Sequence, residues 1–297
     1  MPAARIVLLT IIAMIAFASN SLLCRVALKH TAIDPASFTT VRLASGALAL
    51  WLIVRLRRSV SAPASAPASA GRGNWLSALA LYAYAAGFSF AYTNLSAASG
   101  ALLLFGAVQA TMIGRGIAAG ERLAPRQLAG LLLALGGLVG MLLPGLTAPP
   151  LGGALLMMGA GVAWGVYSLR GKGARDATGV TAGNFLRAAP IAVAMSAAVA
   201  LIGADGVALD RAGLLYAVAS GALTSGIGYA LWYAVLPSLR ATSAATVQLS
   251  VPVIAALGGV ALLGEALTLR LVLASAAILG GIALVILQQR TGTAPQR

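Results

Sequence analysis

Residues 120–123 read Gly-Glu-Arg-Leu and residues 264–267 read Gly-Glu-Ala-Leu. Behind them the glycine pairs Gly136-Gly137 and Gly280-Gly281 keep the same separation of 144 residues. At that offset Leu95-Ser96-Ala97-Ala98-Ser99-Gly100-Ala101 returns as Leu239-Arg240-Ala241-Thr242-Ser243-Ala244-Ala245. The chain is therefore one unit written twice, residues 1–146 and 147–290, followed by a tail of residues 291–297. A long internal repeat sets the architecture before any single motif does.

Composition gives the solvent of that unit. Hydrophobic residues make up 60% of the 297 positions, charged residues 9%, and mean hydropathy is +0.94. That leaves too little polar surface for a water-soluble chain, so the protein is expected to be an all-α integral membrane protein. Runs of about 17 to 25 apolar residues suffice to span. The sequence offers ten: Ile6 to Leu23, Phe38 to Leu56, Trp75 to Thr93, Ala97 to Ala119, Gln127 to Leu143, Leu151 to Leu169, Val180 to Ile202, Ala212 to Val235, Ala241 to Leu263 and Leu271 to Leu287. Five spans per unit is an odd number, so the second copy enters the membrane from the opposite side and the repeats are inverted. Secondary transporters are built this way, with the substrate held near mid-membrane between the copies.

The net charge of +14 is an orientation signal. Arg5, Arg55, Arg57, Arg58, Arg72, Arg122, Arg126, Arg170, Lys172, Arg175, Arg240, Arg290 and Arg297 all fall on one side of the ten-span order, against Arg25, Lys29, Arg211 and Arg270 on the other. The positive-inside rule then puts both termini in the cytoplasm, and leaves no nucleic-acid patch to explain. Arg5, the following apolar stretch and Ala16-Phe17-Ala18 imitate a signal peptide. However, Phe17-Ala18-Ser19-Asn20-Ser21-Leu22 parallels Trp164-Gly165-Val166-Tyr167-Ser168-Leu169, so the segment reads as the first helix of its repeat. Residues 59–73, rich in Ala, Ser and Pro, form a flexible linker. A single cysteine, Cys24, allows no internal disulfide and no metal cluster, and no cofactor is expected.

The Gly120 to Leu123 motif with Gln127, Gly130 and Gly136-Gly137, and its second copy at Gly264 to Leu267 with Gly280-Gly281, resembles the EamA domain. The second copy departs from the first at Leu271 and Ala274. Two such domains in tandem imply a ten-helix carrier of the drug/metabolite transporter superfamily. Trp164, Tyr167 and the aromatic third helix further resemble bacterial exporters of the YddG type, which implies export of aromatic and other neutral amino acids.

The residues themselves constrain the chemistry. The acids Asp34, Glu121, Asp176, Asp205, Asp210 and Glu265 all fall at expected helix ends or in loops, and His30 lies outside the spans. Proton-coupled carriers keep a buried ionisable relay, so this chain is expected to move a neutral solute down its own gradient. A membrane enzyme would need paired acids, a buried histidine or a metal site, and a channel a charged ring; neither pattern is present. Sugars, nucleobases, other metabolites and lipophilic cations are the alternative cargoes, with proton or ion coupling as an alternative drive.

Deep polar and aromatic residues are the candidate contacts. Tyr84 and Phe88 share a face of the third helix with Tyr82 on its flank, and Phe105 and Gln109 share one on the fourth. Trp164 and Tyr167 on the sixth helix have Asn20 and Ser21 in the matching stretch of the first, and Gln248 is the remaining deep amide. The cavity is expected to be lined by the first, third, fourth, sixth, eighth and ninth helices. Trp75, Tyr92, Trp232 and Tyr233, near span ends, read as packing or interfacial anchors. Arg42 and Arg187 are a repeat-related pair that reads either as anchors to carbonyls and lipid phosphate or as a gate or carboxylate contact. Gly136 and Gly140, and Ala277 and Gly281, provide small faces that suit packing within one chain or pairing of two copies. Gly221, Gly226, Gly228 and Pro190 mark expected hinges.

Overall fold

The computed structural model describes residues 2–60, 73–120, 124–143, 145, 148–171, 174, 176–202, 207–239 and 247–288. Glu121 to Leu123 of the first motif, most of the linker, Lys172, Arg175, Asp205, Arg240 and the tail lie outside the described residues. The described chain is helical throughout. In order it forms α1 (Ala3–His30), α2 (Pro35–Val60), α3 (Trp75–Tyr92), α4 (Ala97–Ala118), α5 (Pro125–Leu142), α6 (Leu151–Gly171), α7 (Ala177–Ile202), α8 (Arg211–Ser238), α9 (Ser250–Leu263) and α10 (Leu269–Gln288). Seven of these are long and apolar enough to cross a membrane, while Ser250–Leu263 and Leu269–Leu284 are shorter apolar helices.

Several helices outrun their apolar stretches. α1 has 28 residues, about 42 Å at 1.5 Å per residue, against a hydrocarbon core of about 30 Å. Its last two turns carry Arg25, Lys29 and His30, because a helix continues into the headgroup region wherever its end groups find partners. Hydropathy measures only the apolar part.

The carboxylates supply many of those partners. Asp34 Oδ1 accepts the N–H groups of Ala36 and Ser37 at the start of α2, Asp176 Oδ1 accepts Gly179 N–H at α7, and Asp210 Oδ2 accepts Gly213 N–H at α8. Glu265 does this across the fold. Its Oε2 accepts Ala97 N–H at the start of α4 at 2.8 Å, and its Oε1 meets Arg25 Nε at 3.3 Å. The same arginine donates through Nη1 to the carbonyls of Tyr92 and Thr93 at the end of α3. One ion pair thus joins α1, α3, α4 and the turn after α9, with side chains only 12% and 8% exposed.

Packing runs between halves more than within them. α2 lies against α7, α5 against α10 and α4 against α9; α3 lies against α6 and α7, and α8 against α1 and α2. Small residues set the closest approaches. A Cβ on Gly281 would collide with the Gly130 carbonyl of α5, and one on Gly137 would come within 2.7 Å of Ala277 Cβ. The Ala277 and Gly281 face therefore packs inside the chain, whereas Gly136 and Gly140 have open space around them. Leu271 and Ala274, where the second motif copy departs from the first, are buried. α8 is not a plain α-helix: Ala219–Ile227 is π-helical, and Gly221 within it sits so close to α2 that a Cβ would collide with the Arg42 carbonyl and Ser45 Oγ. Single-turn π insertions recur at functional sites. α7 passes through Pro190 without ending.

Outside, Val7, Leu8, Leu132, Leu133 and Leu273 are exposed, an apolar surface of the kind hydrocarbon covers.

Two variants test this packing. Gly281→Ala should lower the thermal unfolding midpoint in detergent, the overpacking costing about 1–3 kcal/mol, while Gly280→Ala, whose Cβ meets nothing within 4 Å, should not. Glu265→Gln keeps an acceptor for Ala97 but removes the charge; losing one partner of a buried pair costs about 3–5 kcal/mol, read as a fall in the same midpoint.

Candidate functional site

Five helices converge on one interior cavity. α1 contributes Phe17, Asn20 and Ser21; α3 Tyr84 and Phe88; α4 Leu104 and Phe105; α6 Trp164; and α8 Thr224 and Tyr229. The helix periods explain the arrangement: Phe17, Asn20 and Ser21 are three and four apart, as are Tyr84 and Phe88, so each set shares a face. The rings meet edge and face around the space. Trp164 lies 4.8 Å from Tyr84 and 5.0 Å from Tyr229 between ring centroids, and Phe17 lies 5.7 Å from Tyr229. The free volume is about 20 Å³ by the measure in which one water needs about 10–15 Å³. This arrangement is closed, and helices must part to admit a solute.

One polar knot adjoins the rings. Arg42 Nη2 donates to the Tyr84 hydroxyl at 2.9 Å, and Asn20 Nδ2 donates to the same oxygen at 3.2 Å. Asn20 Oδ1 accepts from Ser220 Oγ at 2.6 Å and from Thr224 Oγ1 at 3.2 Å; Thr224 also reaches the Ser220 carbonyl. Arg42 Nε points to Ser225 Oγ at 3.5 Å. Ser220, Thr224 and Ser225 all come from the π-helical segment of α8, whose wider turn gathers three hydroxyls on one side. The Arg42 guanidinium stands over the Phe88 and Tyr84 rings, 4.8 and 5.2 Å from their centroids.

Arg42 is 1% exposed, so it lies at no interface and touches no lipid phosphate. Arg187, expected from the sequence to be its counterpart, behaves differently. Arg187 is half-buried, donates to the Gly183 carbonyl and stands over the exposed Trp75 ring, an anchoring geometry. The two arginines share a sequence position and occupy different environments.

The other expected contacts divide as follows. Asn20, Ser21, Tyr84, Phe88, Phe105 and Trp164 come together in the cavity. Tyr167 stacks on Trp164 with centroids 5.4 Å apart, but its hydroxyl turns to Thr181 and Asn184 in a second, smaller polar cavity with Ser77, Arg170 and Tyr233. Tyr82 points away, its hydroxyl on Met195 Sδ of α7. Gln109 is buried one turn beyond Phe105 and is not among the cavity's lining residues; neither is Gln248, which is half-buried just before α9. The lining comes from α1, α3, α4, α6 and α8, without the expected α9. Tyr92 and Trp232 are buried packing residues. Phe17, Leu104, Thr224 and Tyr229 are lining residues that sequence reasoning missed. Tyr229 stands 145 residues after Tyr84, the spacing of Arg42 and Arg187, so transferring Tyr84 onto the second repeat would have found it. No such signal marks Thr224.

The model of the EamA-like transporter family matches residues 151–287. The uncharacterized protein PA1977 of Pseudomonas aeruginosa is 57% identical over 286 residues, covering 96% of each chain. A crystal structure of a protein 21% identical to this one superposes with a TM-score of 0.67 over 98% of this chain and 99% of its own, which shows a shared fold.

Tyr84→Phe should destabilise the protein by about 1–3 kcal/mol, because it removes the one oxygen that receives both Arg42 and Asn20 and leaves two buried donors unsatisfied. The thermal midpoint in detergent measures it.

Proposed function

As this chain belongs to the EamA-like transporter family, a family of multi-pass membrane carriers of small solutes rather than enzymes, we propose that it exports neutral solutes with large apolar bodies. Aromatic and other large neutral amino acids are the foremost cargo. The observation that carries this reading is the ring of Phe17, Tyr84, Phe88, Phe105, Trp164 and Tyr229 around a closed interior cavity. Offset and edge-to-face ring contacts contribute about 0.5–1.5 kcal/mol each beyond area burial, and an aromatic cargo makes such contacts with several walls at once.

The mechanism is alternating access between two inverted five-helix repeats, residues 1–146 and 147–290. The packing supports it, because exchanging the two halves maps the main contacts onto one another: α2–α7, α5–α10 and α4–α9 onto themselves, α3–α6 onto α8–α1, α4–α6 onto α9–α1 and α3–α7 onto α8–α2. The π-helical turn of α8 is the segment placed to change when the cavity opens. Described carboxylates are engaged with helix N–H groups, which supports movement down the solute's own gradient without an acidic relay. The skew of basic residues supports a bacterial inner-membrane location with cytoplasmic termini. Sugars and nucleobases are a second reading; lipophilic cations are disfavoured by the buried positive charge of Arg42 beside the rings.

Purified protein in liposomes should take up labelled aromatic or large apolar amino acids saturably and without regard to an imposed proton gradient. Dependence on the gradient would replace the facilitator with a coupled carrier, and no uptake would overturn the cargo. Trp164→Ala, which removes ring contacts to Tyr84, Tyr167 and Tyr229, should lower uptake about tenfold or more, since about 1.4 kcal/mol is tenfold, at an unchanged amount of protein in the membrane.

A further inference from the structure

Arg42 keeps one atom in reserve. Nη2 is taken by Tyr84 and Nε by Ser225, but Nη1 is buried with no hydrogen-bond partner. The charge is unbalanced as well, since the one ion pair among the described residues is Arg25 with Glu265. Burying an ion without a counter-charge costs several kcal/mol, and a buried polar atom left unmade asks for an explanation. The Tyr84 hydroxyl points the same way. Its oxygen already accepts from Arg42 and Asn20 and it is hydrogen-bonded to the Tyr229 hydroxyl, so the pair of hydroxyls keeps one proton to give at the edge of the cavity. The knot therefore presents a cation and O–H protons beside an aromatic chamber.

We propose that Arg42 is the receptor for a carboxylate on the transported solute, so that the site selects aromatic carboxylates: an anion at Nη1 and the hydroxyl pair of Tyr84 and Tyr229, a ring among Phe88, Trp164 and Tyr229. This rests on the reading of the cavity as the solute site. The carboxylate supplies what the folded chain lacks, a counter-ion with the paired acceptors that a guanidinium fork fits. In the closed arrangement Nη1 is sealed, and the parting of helices that admits the ring also opens the way to it. Arg187 takes no equivalent part, being bonded to the Gly183 carbonyl on its own helix. The shared chemistry has two sources, an amino acid or an aromatic acid without an amino group.

The test is competition against uptake of labelled phenylalanine into liposomes by phenylalanine, phenylacetate, phenylalaninamide and phenylethylamine. In the unaltered protein the two compounds without a carboxylate should compete at least tenfold more weakly than phenylalanine; a ratio below tenfold overturns the proposal. Phenylacetate matching phenylalanine identifies the carboxylate alone as the recognised group, and phenylacetate failing identifies amino acids as the source. In Arg42→Gln that reaches the membrane the tenfold preference should collapse towards one, and in Arg42→Lys it should partly survive. Preference retained in Arg42→Gln overturns the assignment. If Arg42→Gln does not fold, the ratio in the unaltered protein and in Arg42→Lys decides. Uptake of phenylalanine with the amide competing equally removes only the carboxylate receptor; no uptake and no competition by any of the four removes the cargo reading and this one together.

Discussion

The Arg42 guanidinium is held inside a helical bundle whose outer surface is apolar, and much of the interior is arranged to tolerate it. An arginine within a spanning helix is costly, up to about 2.5–3.5 kcal/mol at the helix centre on insertion scales, and Arg42 lies two turns into α2. The cost is met by two hydrogen bonds, two ring faces and a chain of side chains leading through Asn20 to the hydroxyls of α8. Each link in that chain comes from a different helix, so α1, α2, α3 and α8 are fixed relative to one another by polar contacts as well as by packing. Gly221 is part of the same requirement. Only a residue without Cβ lets the π-helical turn approach the Arg42 carbonyl closely enough for Ser225 to reach the guanidinium.

The carboxylates follow the opposite rule. Asp34, Asp176 and Asp210 are spent on helix N-termini, where free N–H groups and the helix dipole favour negative charge. Glu265 adds the pairing with Arg25, which in turn donates to the carbonyls at the end of α3. These acids hold the helix ends of the bundle, and the rings and hydroxyls hold its centre. A division of this kind leaves the positive charge of Arg42 behind the Tyr84 and Phe88 wall of the cavity, with no ion-pair partner among the described residues.

Much of this was legible in the chain. The apolar runs, the doubled Gly-Glu motif and the small residues predicted a helical membrane protein, because a membrane allows few ways to satisfy a backbone and each leaves a long apolar signature. The face periods of α1, α3 and α4 brought Asn20, Ser21, Tyr84, Phe88 and Phe105 onto the same short list that the cavity assembles. The misses have physical causes as well. Tyr82 and Gln109 sit on the right helices at nearby depth, but helix rotation is set by neighbours, and a rotation of one residue's width turns a hydroxyl from a cavity to a methionine.

What the sequence determined by itself was therefore class and candidate depth: composition, hydropathy and spacing are local or additive properties that survive without a partner. What only the tertiary structure decided was which of two arginines at one sequence offset is buried among polar and aromatic partners. Arg42 and Arg187 hold matching positions in the two copies, yet one is sealed against Tyr84 and Phe88 and the other reaches a backbone carbonyl under Trp75. Which of the two charges is buried depends on contacts between helices far apart in the chain.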